Sequence, residues 1–221
     1  GERILQGRFI TFEGPEGAGK STQLGLLGEW MKRGGLPVRT TREPGGTALG
    51  AGIRKILLAP QGGEVSPLAE LFLYEADRAQ HVREVIRPAL AAGEHVLCDR
   101  FFDSTTAYQV YGRGLPAELV GGLNARATGG VIPDLTILLD ISPGEGLRRA
   151  RGGESGDRLE GEGMEFHERV WRGFSEISRN EPGRFRLISA GTVEEVHARI
   201  LEAVTKEFGW TGESFKARTQ P

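Results

Sequence analysis

The stretch Gly14, Pro15, Glu16, Gly17, Ala18, Gly19, Lys20, Ser21 constrains this chain more than any other. It follows the apolar run 9–12 and precedes residues 23–31, where Leu24, Leu26, Leu27, Trp30 and Met31 recur at helical spacing. The pattern G-x-x-x-x-G-K-[ST] between a strand and a helix is a phosphate loop, whose glycines let backbone N–H groups turn toward phosphate oxygens at a helix N-terminus. Residues 14–22, including Thr22, are therefore the candidate nucleotide-phosphate site, with Lys20 reaching the β- and γ-phosphates and Ser21 ligating Mg²⁺. A glycine turn before a chance Lys-Ser is the competing reading, and the flanking strand and helix argue against it.

The rest of the chain alternates strands with helices. Gly34 and Gly35 close the first helix, and residues 36–41 form a second strand that ends in the loop 42–47. A short helical pattern over 53–58 breaks at the Gly- and Pro-containing stretch 59–63. Ser66 and Pro67, as N-cap and first helical residue, open the longest helix, which Pro88 kinks or ends before Gly93. Residues 95–99 read as a buried third strand, followed by helices over 104–111 and 116–128 and a fourth strand over 135–140. Two S/T-x-x-E patterns, from Ser142 to Glu145 and from Thr192 to Glu195, predict capping boxes. Between them lie a helix over 164–180 and a fifth strand over 185–189, and the polar tail 211–221 is expected to fray. The order predicts a three-layer α/β fold of the P-loop NTPase type: a five-stranded parallel sheet flanked by helices, ligands at its carboxyl edge, and an arginine-rich lid over about 148–160. We expect one domain over 1–210.

Lys and Arg total 28 against 30 Asp and Glu, a formal charge of -2, so the chain lacks the basic surplus that non-specific nucleic-acid binding uses. A single cysteine, Cys98, cannot form an intrachain disulfide, and its apolar surroundings suit a buried small hydrophobe. No signal peptide and no apolar stretch long enough for a bilayer is evident, so a cytoplasmic protein without membrane partners is expected.

Each candidate site falls after a strand, where a doubly wound sheet places its ligands. Asp99 ends the third strand and suits a metal-associated acid, while Arg100 beside it suits bidentate phosphate binding. A strand-end turn is the plain alternative for Asp99. Asp140 is a rival metal ligand, ranked second because the adjacent pattern marks a helix start. Arg148, Arg149, Arg151 and Arg158 lie in a glycine-broken segment that a solvated loop or a closing lid would both explain. In a phosphate-loop protein a lid arginine would stabilise the transferred phosphoryl, an effect worth about 10³–10⁵ in rate elsewhere.

Five motifs in order carry a family resemblance: residues 12–23 around the loop; Arg42-Glu43-Pro44-Gly45-Gly46-Thr47; Asp77-Arg78-Ala79-Gln80-His81; Asp99-Arg100-Phe101 with Ser104-Thr105-Thr106-Ala107-Tyr108-Gln109; and the lid ending in Asp157-Arg158. Over about 8–207 the chain resembles the thymidylate kinases of the bacterial branch. The resemblance implies transfer of the ATP γ-phosphoryl to dTMP with Mg²⁺, and a homodimer. It implies that Glu16 lies near the acceptor's sugar and phosphate, that Arg42 and Arg100 clamp the dTMP phosphate, and that Asp99 stands beside the metal. Arg78 then bonds the thymine carbonyl, Thr105 and Gln109 line the acceptor pocket, and Tyr108 lies beneath the sugar, favouring deoxyribose. Arg149 is implied on adenine, with Arg151 and Arg158 at the phosphates.

Two positions depart from the commoner pattern. Tyr74 stands where the family usually carries Phe, and its hydroxyl needs a partner or water. Gly17 stands where one branch carries a basic residue, which moves the catalytic cation to the lid. Two other readings stay open on the residues alone: a phosphate-loop kinase of a different small acceptor, and a nucleotide-dependent switch ATPase.

Overall fold

The computed structural model describes residues 7–59, 64–150 and 158–211. Within these, five strands form one parallel sheet in the order β2-β3-β1-β4-β5: β1 Phe9–Glu13, β2 Val38–Arg42, β3 His95–Asp99, β4 Leu135–Asp140 and β5 Phe185–Ser189. The central strand β1 is buried at every position because it is paired on both edges and covered on both faces, with Ile10 opposite Leu97 on one side and Leu135 on the other. Its one mid-strand hydroxyl, Thr11, is satisfied by Thr136 at 2.9 Å. From β1 the chain crosses to β2 and β3 on one side, and from β3 it crosses back over β1 to β4 and β5 on the other, so the crevice where the strand order reverses opens at the loop after Glu13.

Helix α1 (Lys20–Arg33) buries Leu24, Leu27 and Met31 against Ile10, Phe12 and Leu97 on one face, beside the last helix. The other face is built from Phe9, Val96 and Phe101 at one end and Leu138, Phe166, Val170 and Phe174 at the other. α2 (Ala48–Leu58) begins earlier than its sequence suggests: Thr47 caps it by accepting from the Gly50 N–H at 2.9 Å, and Gly50 and Gly52 weaken the local helix signal without preventing the helix. Ser66 and Pro67 do open α3 (Pro67–His81). A π-helical segment over Val82–Ile86 widens the turn ahead of Pro88, and α4 (Arg87–Ala91) carries Pro88 in its first turn and ends just before Gly93, where the sequence places the end of the run.

After β3, α5 (Phe102–Thr105) passes into a second π-helical segment, Thr106–Gly112, which packs on a later helix. α6 (Ala117–Thr128) starts after Pro116, and α7 is Pro143–Ala150. The Glu145 carboxylate is drawn to Arg148 and to Arg149 Nε (2.8 Å), its i+3 and i+4 neighbours, so the predicted box with Ser142 does not form. The box at Thr192 and Glu195 does form at the head of α9 (Val193–Phe208), which follows α8 (Met164–Asn180) and β5. No helix among the described residues is long and apolar enough to cross a membrane. The tail from residue 212 onward lies outside the described residues.

Candidate active site

The loop after β1 turns through three glycines with positive φ: Gly14 (138°), Gly17 (68°) and Gly19 (87°). Steric contact adds a second requirement. A Cβ on Gly17 would stand 2.0 Å from the carbonyl oxygen of Gly146, and one on Gly146 would stand 2.3 Å from that of Glu16. α7 therefore packs directly on the loop, and a basic side chain at position 17 has no room. Lys20 Nζ donates to the carbonyls of Gly14 (3.1 Å) and Pro15 (2.8 Å). Burial, reinforced by the Arg100 charge, brings its pKa down to about 8.

Arg100 joins this loop to the end of β3. Its backbone is left-handed (φ 68°), a conformation costly for a residue with a side chain. Three contacts hold it there: its N–H donates to the Phe12 carbonyl at 2.9 Å, the Cys98 thiol donates to its carbonyl at 3.0 Å, and the next N–H, of Phe101, donates to Glu13 Oε1 at 2.7 Å. The twist aims the guanidinium at the phosphate loop. Nη1 donates to Gly14 O (3.0 Å) and Ser104 Oγ (2.9 Å), and Nη2 donates to Glu16 Oε1 (2.8 Å) and Tyr108 Oη (3.3 Å). Tyr108 also donates to Glu16 Oε1 at 2.8 Å. Burial alone would raise the Glu16 pKa, but Arg100, Lys20 and the Tyr108 hydroxyl hold it at about 2.

Asp99 and Ser21 meet beside this cluster, with the Ser21 hydroxyl donating to Asp99 Oδ2 at 2.5 Å. Asp140 does not join them; it accepts the Trp171 indole N–H at 2.9 Å and borders a separate small cavity with Ala18, Arg149, Ser189 and Ala190. Arg149 thus stands on the far side of the loop from the main cleft, paired with Glu145.

The main cleft, about 310 Å³, runs from the phosphate loop to α3 and the second π-helical segment. Arg42, Tyr74, Arg78, Asp99, Arg100, Thr105, Tyr108 and Gln109 all line it, as do Glu16, Lys20 and Ser21. Arg42 is exposed and makes no ion pair among the described residues. Arg78 is the opposite case, almost fully buried with four of its five N–H groups engaged: Nε to Glu43 (2.9 Å), Nη1 to Glu75 (3.2 Å) and Asn124 (2.9 Å), and Nη2 to Thr105 (3.0 Å). One Nη2 N–H remains for a ligand. Tyr74 has no hydrogen-bond partner among the described residues for its hydroxyl, whose pKa burial raises.

Arg158 lies apart from the phosphate loop. Its Nε donates to the Leu57 carbonyl at 2.8 Å, and Nη2 pairs with Glu70. Arg151 lies outside the described residues, as does most of the segment expected to form a lid. Two supporting residues had not been singled out as site residues. Glu13 is fully buried at the end of β1 and holds both the Phe101 N–H and the Ser104 hydroxyl (2.5 Å), so it fixes the turn that presents Arg100. Glu43 bridges Arg78 and His81 Nδ1 (2.8 Å) next to a cis Glu43–Pro44 bond. A charged residue ending an otherwise uncharged strand was the one available signal for Glu13.

Residues 12–200 match the family model described as Thymidylate kinase. A thymidylate kinase of Gloeobacter violaceus is 53% identical over 199 residues, which is 89% of this chain and 93% of that protein. A thymidylate kinase of Deinococcus radiodurans is 50% identical over 204 residues, covering 92% of this chain and 98% of its own length. Among solved structures, that of thymidylate kinase from Ehrlichia chaffeensis aligns with a TM-score of 0.76 at 34% identity, covering 90% of this chain and 99% of that one.

Proposed function

Because the chain belongs to the thymidylate kinase family, we propose that its cleft carries out the phosphorylation of dTMP by ATP through the residues described above. The observation that carries this reading is Arg100, one guanidinium that bonds both the phosphate loop and the wall of the acceptor cleft. Donor phosphates lie over the loop N–H groups and Lys20, and the dTMP phosphate lies between Arg100 and the unpaired Arg42. At neutral pH a phosphate monoester is mostly dianionic, its second pKa being about 6, so its oxygen attacks the γ-phosphorus without a general base. The P–O bond to the β-phosphate breaks as the new one forms, and ADP leaves with the electron pair. The work left to the protein is alignment and charge neutralisation.

Ser21 and Asp99 fit Mg²⁺, since a hydroxyl and a carboxylate facing the cleft are hard oxygen donors of the kind this ion takes with water and phosphate oxygens. Bound there, it would neutralise charge on the β- and γ-oxygens. Glu16 orients Arg100 and the Tyr108 hydroxyl under the sugar, Arg78 offers its remaining N–H to the base, and Arg149 serves adenine in the small cavity behind Ala18. Leu49 and Ile56 of α2 and Leu68 and Phe72 of α3 are exposed on adjoining helices, an apolar patch that suits a homodimer and that sedimentation would test.

ADP formation measured across dTMP, dUMP, dCMP, AMP and GMP tests the function. We expect dTMP to be preferred, whereas a clear preference for AMP or GMP, or hydrolysis unstimulated by any acceptor, would overturn it.

A further inference from the structure

Gln109 borders the cleft but is itself fully buried, and its amide is held from one side only. Nε2 donates to Glu70 Oε1 at 2.8 Å, while Oε1 has no hydrogen-bond partner among the described residues. Glu70 is fully buried as well and receives Arg113 Nε (3.0 Å) and Nη2 (3.1 Å) in addition to Arg158. Burial opposes its charge, but these two arginines outweigh burial and keep it an ionised carboxylate. An ionised carboxylate only accepts hydrogen bonds, so the nitrogen end of the Gln109 amide must face it and the oxygen end must face away. A buried orphan oxygen is costly, and a ligand N–H is the group that relieves it.

We infer that Glu70 is a positioning residue for base selection: by fixing the orientation of the Gln109 amide, it makes this wall of the acceptor cleft a hydrogen-bond acceptor. Resting on the dTMP-kinase reading, this supplies half of a two-point code. Gln109 Oε1 accepts a ring N–H, and the free Nη2 N–H of Arg78 donates to a neighbouring carbonyl. A pyrimidine with an imide edge satisfies both. Cytosine, with a ring nitrogen that accepts and an amino group that donates, opposes both.

The test is the ratio of kcat/KM for dTMP to that for dCMP in the full chain. In Glu70→Gln the partner at position 70 can donate or accept, so the Gln109 amide turns freely and the ratio should fall by at least about tenfold. Loss of both rates in equal proportion would mark a merely structural role and overturn the inference. Should Glu70→Gln not fold, Gln109→Leu decides the matter, because a retained ratio would mean that the amide oxygen does not read the base. Wild-type enzyme inactive with dTMP would instead refute the function proposed above, a result distinct from any of these.

Discussion

Arg100 offers the sharpest test because its side chain and its backbone make separate predictions. Arg100→Ala and Arg100→Gly delete the same four side-chain hydrogen bonds, to Gly14, Ser104, Glu16 and Tyr108, and both leave the Glu16 carboxylate without its guanidinium. Both variants should therefore lose dTMP turnover alike, by about 10³-fold, which is the scale of a lost arginine clamp on a transferring phosphoryl group. Stability should separate them. A left-handed residue with a Cβ costs roughly 1–2 kcal/mol that glycine avoids, while glycine's extra freedom in the unfolded chain returns about 0.4–1 kcal/mol of that. The glycine variant should thus be the more stable by about 0.5–1 kcal/mol, equivalent to about 1–4 °C in Tm for a chain of this size. Urea titration and a coupled ADP assay on the two proteins measure both quantities. An alanine variant as stable as the glycine variant would show that φ 68° at this position carries no strain. Retained turnover in either would remove Arg100 from the phosphate site.

Three further outcomes follow from the same geometry. Glu13 has its pKa raised to about 8, chiefly by burial and then by the charge of Asp103, so the folded chain keeps a proton that the unfolded chain releases above its ordinary value of 4.5. Stability from this group is fullest below the unfolded pKa and declines as pH rises toward 8, by up to about 1.4 kcal/mol per pH unit; Glu13→Gln should flatten that slope in urea titrations at pH 5 to 8.5. Arg149→Ala should raise the KM for ATP several-fold, about 1 kcal/mol of binding, and leave the KM for dTMP unchanged in initial-rate measurements. Tyr74→Phe removes a hydroxyl that has no hydrogen-bond partner among the described residues, so the KM for dTMP should stay within about twofold and the Tm should not fall.

Much of the architecture was legible from local pattern. β3, β4 and β5 coincide with their predicted spans and β1 runs one residue past its apolar stretch; the buried strands β1, β3 and β4 are the plainest in the letters because a strand covered on both faces has little freedom in composition. The errors have local causes. α2 was read short because glycines dilute its amphipathic signal, the π-helical widening ahead of Pro88 cannot be seen in the letters, and one capping box lost its Glu145 to two neighbouring arginines.

For the site, the sequence by itself determined the phosphate loop and the set of chemical groups, because a glycine-rich turn between strand and helix has few physical uses and because strand ends in a parallel sheet converge on one edge. Only the tertiary structure decided how those groups are divided. It sent Asp140 to an indole and Asp99 to Ser21, and it set Arg158 on Glu70 rather than beside the loop. It also excluded a cation at position 17, since the Gly146 carbonyl occupies the space a Cβ there would need. Buried supports such as Glu43 and Glu70 carry no local signature, for their partners lie 35 to 88 positions away in the chain. Hydrogen-bond satisfaction is a property of the packed molecule, and it becomes readable only when the sheet and helices have brought those partners together.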